Sequence, residues 1–229
     1  MNHVLTTLAI CSLAGAAHAQ TIGIDFGDLG NITPGNYNNV DHLQNPVFNL
    51  VDTTGAGTGI TLNVTDTFWP GSNQSGTGVP AGDAAGIPAS ATADNLFGSL
   101  TEFGGFTEPT GGITFGGLDA TGATTYDFMF FGSRMGVSDN RETLYSLTGA
   151  NSGSAALDTA NNTSDVAWVT GMRADANGEI VLSVTAGENN TNSSGFYYLG
   201  YIEIGVVPTP ASAALLGAGA LAASRRRRS

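Results

Sequence analysis

The sequence predicts an all-β protein, a jelly-roll-like antiparallel β-sandwich with a short hydrophobic helix at each end. Three observations carry this prediction. Apolar side chains recur at every second residue in many short segments, which is the period of a β-strand. Clusters of Gly, Asn, Asp and Ser separate those segments at roughly 8–12 residues, a spacing typical of sandwiches. No segment outside the two ends has a helical period.

Residues 124–149 contain the segments expected at the centre of the sandwich. In residues 124–132 the side chains alternate, with Tyr126, Phe128 and Phe130 on one face and Asp127, Met129 and Phe131 on the other. A strand that is apolar on both faces belongs in the middle of a covered sheet. Residues 141–149 form the next strand and contribute Tyr145 to the core, and the turn at 133–140 is expected to join the two strands as a hairpin.

The other strands are predicted from the same alternation, at 21–26, 47–52, 58–68, 111–118, 155–158, 166–172, 180–186 and 196–206. Residues 96–103 fit either a strand or a helical turn, and Trp168 is assigned to the core. Residues 69–95 are rich in Gly, Pro, Ala and Ser and show no period. Structureless segments of this length are usually functional or disordered.

Both ends of the chain have the composition of sorting segments. Residues 1–19 have an apolar stretch followed by Ala17, His18 and Ala19, the A-x-A pattern of a signal-peptide cleavage site. Residues 207–229 contain Pro208, Thr209 and Pro210, an apolar run at 213–223, and the cluster Arg225, Arg226, Arg227 and Arg228. We therefore divide the chain into a signal peptide at 1–19, a β-sandwich domain at 20–206 and a C-terminal sorting signal at 207–229.

The order of the C-terminal signal resembles the PEP-CTERM family of bacterial sorting tails, with Thr209 where that family usually has Glu. The resemblance implies export machinery and an exosortase-type processing enzyme as partners, and a final location in the cell envelope or extracellular matrix. The apolar helix is too short to span ~30 Å of hydrocarbon at ~1.5 Å per residue, which indicates a transient membrane contact. A simple membrane anchor or a solvated basic tail is the alternative.

The segments at 126–134, 141–149, 157–187 and 196–204 together resemble the galactose-binding-like jelly-roll domains of bacterial surface and polysaccharide-active proteins. This resemblance implies a sandwich fold and an association with carbohydrate.

Composition excludes several classes of function. The chain has nineteen acidic residues, seven arginines and no lysine, and four of the arginines are in the C-terminal cluster, so nucleic acid is excluded as a partner. Cys11, the one cysteine, lies in the predicted leader, which leaves the rest of the chain without a thiol or disulfide. His42 is the one histidine after the leader, and no nucleophile motif accompanies it, so we expect no enzyme activity.

Calcium is the cofactor that the available oxygen ligands favour most. Residues 25–41 offer Asp25, Asp28, Asn31 and Asp41 as oxygen ligands, and Asp139 with Asn140 forms a second cluster. Asp and Asn are also good turn formers, so a purely structural role is the alternative.

Carbohydrate binding needs an aromatic ring for stacking and planar polar groups for hydrogen bonds. The candidate ligand-binding residues are Tyr37, Trp69, Arg134, Asn140 and Arg141. The alternative is that the two arginines pair with Asp127, Asp139 or Glu142 and only fix the hairpin.

These expectations combine into one function: a secreted, non-enzymatic envelope or matrix protein that is structural or associated with carbohydrate. Two alternatives remain open. One is a polysaccharide-active enzyme with paired carboxylates, and the other is a calcium-dependent adhesion module.

Overall fold

The computed structural model describes residues 20–208. The predicted signal peptide with Ala17 and Ala19, both predicted terminal helices, Thr209, Pro210 and the arginines at 225–228 lie outside the described residues. Pro208 is described and ends the last strand. Within residues 20–208, no helix is both long enough and apolar enough to span a bilayer.

The described chain is predominantly β. One short helix, α1 (Ala89–Ala93), and one 3-10 turn (Gly82–Ala84) interrupt the strands. The strands in chain order are β1 (Gln20–Gly27), β2 (Asn38–Asp41), β3 (Thr61–Asp66), β4 (Leu96–Phe103), β5 (Phe106–Glu108), β6 (Gly111–Gly116), β7 (Thr124–Phe131), β8 (Glu142–Thr148), β9 (Ser152–Asp158), β10 (Ala167–Met172), β11 (Ile180–Ala186), β12 (Tyr197–Leu199) and β13 (Tyr201–Pro208).

These strands form two five-stranded sheets and one small sheet. The first sheet has the order β10-β7-β13-β1-β2, and the second has the order β3-β6-β11-β8-β9. The small sheet has the order β12-β4-β5. The pair β1–β2 is parallel, and the other neighbouring strands are antiparallel.

The two large sheets pack face to face around one hydrophobic core. Phe128 of the first sheet meets Phe115 of the second with ring centroids 5.4 Å apart. Phe130 stacks on Tyr145 at 4.6 Å with nearly parallel rings. The Tyr145 hydroxyl donates a hydrogen bond to the Tyr198 carbonyl at 2.8 Å, so this buried ring has no unpaired polar atom. The prediction of a sandwich core that contains β7 and Tyr145 is confirmed.

The outer face of the first sheet is covered as well. Ala84, Ile87 and Ala91, from the segment that showed no sequence period, pack against Met129, Phe131 and Tyr201. This cover explains why β7 is apolar on both faces, because both faces exclude water. Asp25 of β1 is buried as well, with its carboxylate accepting a hydrogen bond from the Thr33 N–H.

Three sequence-based assignments were wrong. Residues 124–149 do not form a hairpin, because β7 lies in the first sheet and β8 in the second. Residues 47–52 form isolated bridges at Val47 and Val51 and no regular strand. Trp168, expected in the core, is 48% exposed. Residues 96–103 are a strand, which settles that ambiguity.

Candidate functional site

The small sheet ends in a tight hairpin that points aromatic side chains outward. Gly104 and Gly105 join β4 to β5, with φ of 60° and 88°. A two-residue turn with positive φ at both positions matches the twist of the flanking strands, and glycine adopts it without steric cost. The turn places Phe103 directly opposite Phe106 in the strand register. These two rings are 43% and 45% exposed.

We call the group around this hairpin the aromatic platform; it consists of Trp69, Phe97, Phe103, Phe106 and Phe196. Trp69 stacks on the buried Phe97 at 5.0 Å and meets the edge of Phe106 at 6.1 Å. The Trp69 indole N–H donates to the Phe103 carbonyl at 2.9 Å, which fixes the ring. Phe103 meets Phe196 edge-on at 4.9 Å. The exposed rings are therefore held in place by contacts behind them.

Arg141 supports the platform from inside the fold. Its guanidinium lies 5.3 Å from the centre of the Phe196 ring and donates to the Tyr198 hydroxyl at 2.6 Å. It also pairs with Asp139 at 3.0 Å, and the Arg141 side chain is only 12% exposed. The hydrogen bond from Asn192, followed by that from Arg141, lowers the pKa of Asp139.

Of the predicted ligand-binding residues, the structure brings Trp69 and Arg141 to the same region, with Phe97 and Phe196 between them. Arg134 hydrogen-bonds the Met135 carbonyl and lies near the Tyr198 hydroxyl with Arg141. Asn140 donates to Asp158 and accepts from the Glu142 N–H. The polar members of the set thus have partners within the fold, in line with the alternative that they hold loops in place.

Tyr37 lies elsewhere. It packs on the outer face of the first sheet, with its ring 6.5 Å from that of Tyr201. Its ring contact is therefore with the first sheet and not with the aromatic platform.

A second region collects aspartates at the end of β1, and we call it the aspartate pocket: Asp25, Asp28, Asp41 and Asp94. Asp25 and Asp94 are 3% and 1% exposed. Asp94 accepts hydrogen bonds from the Asp28 N–H at 2.6 Å and from the Asn31 amide at 3.0 Å. A cleft of about 320 Å³ opens beside them, lined by Asp28, Gly30, Asn31, Gln74, Ala93 and Asp94.

The pKa values of the aspartates in this pocket are not all shifted in the same direction. Burial raises the pKa of Asp25 to about 6, and the charge of Asp94 adds to this effect. Burial also raises the pKa of Asp94. The Gly30 N–H, then the Ser72 hydroxyl, lower the pKa of Asp28. The pKa values of neighbouring carboxyl groups are therefore shifted in opposite directions.

The predicted calcium ligands Asp25, Asp28, Asn31 and Asp41 all lie in this region, although Asp25 is a buried strand residue and not a loop residue. Across residues 20–208, no group of three or more His, Cys, Asp or Glu side chains is arranged to hold a metal ion. Asp139 and Asn140, the second predicted cluster, are engaged with Arg141, Asn192 and Asp158. Calcium binding stays a prediction.

Sequence reasoning missed Phe103, Phe106 and Asp94. The signal for the first two was present, because two glycines between apolar strand residues are typical of a tight hairpin. Asp94 follows α1 in the segment without a period, so no local pattern connects it to β1.

Comparisons of the chain with protein-family models, with curated proteins and with solved structures found no match.

Proposed function

We propose that this protein is a secreted, non-catalytic β-sandwich of the cell envelope or extracellular matrix that binds polysaccharide through its aromatic platform. The observation that carries the proposal is the pair of rings, Phe103 and Phe106, exposed by 43% and 45% at the tip of a fixed hairpin. Folding alone favours burying such rings, so an exposed and rigid aromatic group favours a binding role.

Carbohydrate suits this surface because a pyranose ring has an apolar C–H face and polar edges. The aromatic rings of the platform can stack on the apolar face of the sugar. Glu102, whose carboxylate accepts a hydrogen bond from the Gly105 N–H at 2.9 Å, lies next to the platform and can bind the polar edge. Phe103 is held by contacts with Phe97 and Phe196, and Phe106 by its contact with Trp69, so little conformational entropy is lost on binding.

The fold itself is proposed to be a jelly roll, the architecture of many carbohydrate-associated domains. Eight strands, β1, β6, β7, β8, β9, β10, β11 and β13, form its frame. Numbered one to eight in chain order, they read 1-8-3-6 in the first sheet and 2-7-4-5 in the second. Two Greek keys wound together produce this arrangement.

Export and sorting complete the proposal. The A-x-A site at Ala17–Ala19 supports cleavage of a leader, and Pro208, Thr209 and Pro210 with the apolar run and arginines support processing by an exosortase-type enzyme. The first test is the fate of the chain in a bacterium that has such an enzyme. The mature protein should lack residues 1–19 and the arginine cluster by mass spectrometry, and retention of both segments in the cytoplasm would reject this part.

The platform is tested with a glycan array and a double variant, Phe103→Ala with Phe106→Ala. The matched control is Phe48→Ala, since Phe48 is 77% exposed and lies outside the platform. We expect the wild type and the control to bind the same polysaccharide, and the double variant to lose at least tenfold in affinity. Equal binding by all three proteins would overturn the proposal.

A polysaccharide-active enzyme is the second candidate, because the cleft of the aspartate pocket is lined by two carboxyl groups with opposite pKa shifts. Glycosidases use such a pair, a protonated acid and an ionised carboxylate. Here Asp94 would be the acid and Asp28 the carboxylate. Reducing-end release from a polysaccharide panel, abolished in Asp94→Asn and in Asp28→Asn, would establish this function in place of simple binding.

A further inference from the structure

Two buried side-chain polar atoms lack a hydrogen-bond partner in the described part of the chain, and both lie at the aspartate pocket. They are Oδ1 of Asp25 and Nδ1 of His42. His42 follows Asp41 directly, and its Nδ1 is 3.8 Å from Asp28 Oδ2, too far for a hydrogen bond. Buried polar atoms are nearly always paired, so an orphaned carboxylate oxygen indicates a missing partner.

A small cavity beside Asp25 offers room for that partner. Asp25 lines a small inner cavity together with Asp28, Asn39 and Asp41, and this cavity has a volume of about 10 Å³. A space of this size holds about one water molecule or one ion. Its lining contains three carboxylates and none of the arginines of residues 20–208. A cation would compensate these charges, whereas an anion would be repelled.

The geometry points to a calcium ion in the inner cavity, with Oδ1 of Asp25 as its buried ligand. Asp41 would supply a second carboxylate oxygen, since its Oδ1 alone accepts a hydrogen bond, and the remaining ligands would be amide oxygen, backbone carbonyl and water. Calcium accepts such mixed and irregular oxygen sets, whereas magnesium requires a near-octahedral one. Two carboxylates suffice for this arrangement, because calcium also accepts neutral oxygen ligands.

This site is separate from the proposed polysaccharide surface. Phe103 and Phe106 belong to the small sheet, whereas Asp25 lies on β1 of the first sheet. The two proposals therefore fail separately, because loss of glycan binding leaves calcium binding intact and the reverse also holds.

The competing arrangement is a proton on Asp25, which would also neutralise the buried carboxylate. Calorimetric titration distinguishes the calcium ion from the proton. The purified, chelator-treated protein is titrated with CaCl₂ and with MgCl₂ at pH 7.5. We expect one calcium per chain, a weaker response to magnesium and an unfolding temperature that rises by several degrees in millimolar CaCl₂. No heat and no change in unfolding temperature would overturn the proposal in favour of the proton.

Variants assign the response to the pocket. Asp25→Asn should abolish calcium binding, and the control Asp83→Asn, which removes the same charge at an exposed turn residue, should leave it unchanged. Should Asp25→Asn fail to fold, Asp41→Asn serves instead, because Asp41 is only half-buried and its bond to the Leu43 N–H survives in the amide. It should weaken calcium affinity about tenfold. An unchanged affinity in the folded variants would place the ion elsewhere and reject the proposal.

Discussion

The aromatic platform and the aspartate pocket depart from the usual distribution of residues in opposite directions. The platform exposes large apolar rings, whereas the pocket encloses carboxyl groups that water would normally solvate. Between the two large sheets the usual distribution holds, with isoleucine, leucine and phenylalanine in the core. Departures of either kind cost stability, so they mark the places where a requirement other than folding shaped the sequence.

The two regions also differ in how they are supported. Behind the platform, each exposed ring rests on another ring or on Arg141, and the side-chain polar atoms are paired. In the pocket, a buried oxygen lacks its partner. The platform side chains therefore satisfy one another, whereas Oδ1 of Asp25 lacks a partner, which the proposed ion or a proton would supply. The following predictions test this contrast, beginning with the largest effect.

Truncating a side chain beneath the platform should lower the free energy of unfolding far more than truncating one at its surface. Phe97 is buried and contacts Trp69, Phe103, Phe196 and Tyr198, so Phe97→Ala should lower the free energy of unfolding by about 3–5 kcal/mol. Urea denaturation measures this loss. A cost below about 1 kcal/mol would mean that the platform is not a rigid unit.

The pocket should respond to pH through Asp25, which faces Asp28, Asp41, Asp94 and Tyr201. Its pKa of about 6 in the folded state exceeds the ordinary value of 3.8, so the folded state binds this proton more tightly. The resulting stabilisation is complete below pH about 4 and is lost as pH rises through about 6, and it amounts to about 3 kcal/mol.

The measurement compares wild type with Asp25→Asn in chelator-containing buffer. The difference in unfolding free energy should favour the wild type by about 3 kcal/mol more at pH 3.5 than at pH 7.5. A difference that does not vary with pH would show that Asp25 keeps its ordinary pKa.

At the platform the pH response should have the opposite sign. Arg141→Met keeps an apolar stem on Phe196 but removes the pair with Asp139 and the bond to Tyr198, which should cost about 1–3 kcal/mol at neutral pH. Because the pKa of Asp139 is lowered, its contribution is lost as pH falls through that value, so the cost should shrink in acid. The exposed Arg173→Met is the control, and a pH-independent cost would contradict the assignment to Asp139.

The smallest effect on stability is expected at the tip of the hairpin. Phe103→Ser and Phe106→Ser each remove a half-exposed ring and should change the unfolding free energy by less than about 1 kcal/mol. Loss of glycan binding at unchanged unfolding temperature would separate recognition from folding. A large drop in unfolding temperature would instead make the rings part of the core.

Local alternation was enough to predict which faces of β7 meet the core, and to place Tyr145 inside it. It could not predict sheet membership. β7 pairs with β13, so that Phe130 lies opposite Ile202, a partner far along the chain. The predicted hairpin failed because sequence neighbours in a sandwich often belong to different sheets, and no local pattern records this.

The two candidate regions were predictable to different degrees. Trp69 and Arg141 were found from residue type alone, and the double glycine would have located Phe103 and Phe106. Asp25 was identified as a candidate calcium ligand, but its burial was not predicted. That burial depends on tertiary contacts, among them those with Thr33 and Asp94, that no local pattern records.

The position of β13 has a consequence for how the protein matures. This strand lies between β1 and β7 in the first sheet. Ile24 therefore pairs with Ile202, a residue near the opposite end of the domain in the sequence. During synthesis β1 is made first and β13 last. Until β13 has been made, β1 and β7 lack the strand that lies between them in the first sheet. Folding dominated by such distant contacts is slow, and the waiting strands present unpaired edges. The nascent domain therefore needs protection from aggregation until its final strand arrives.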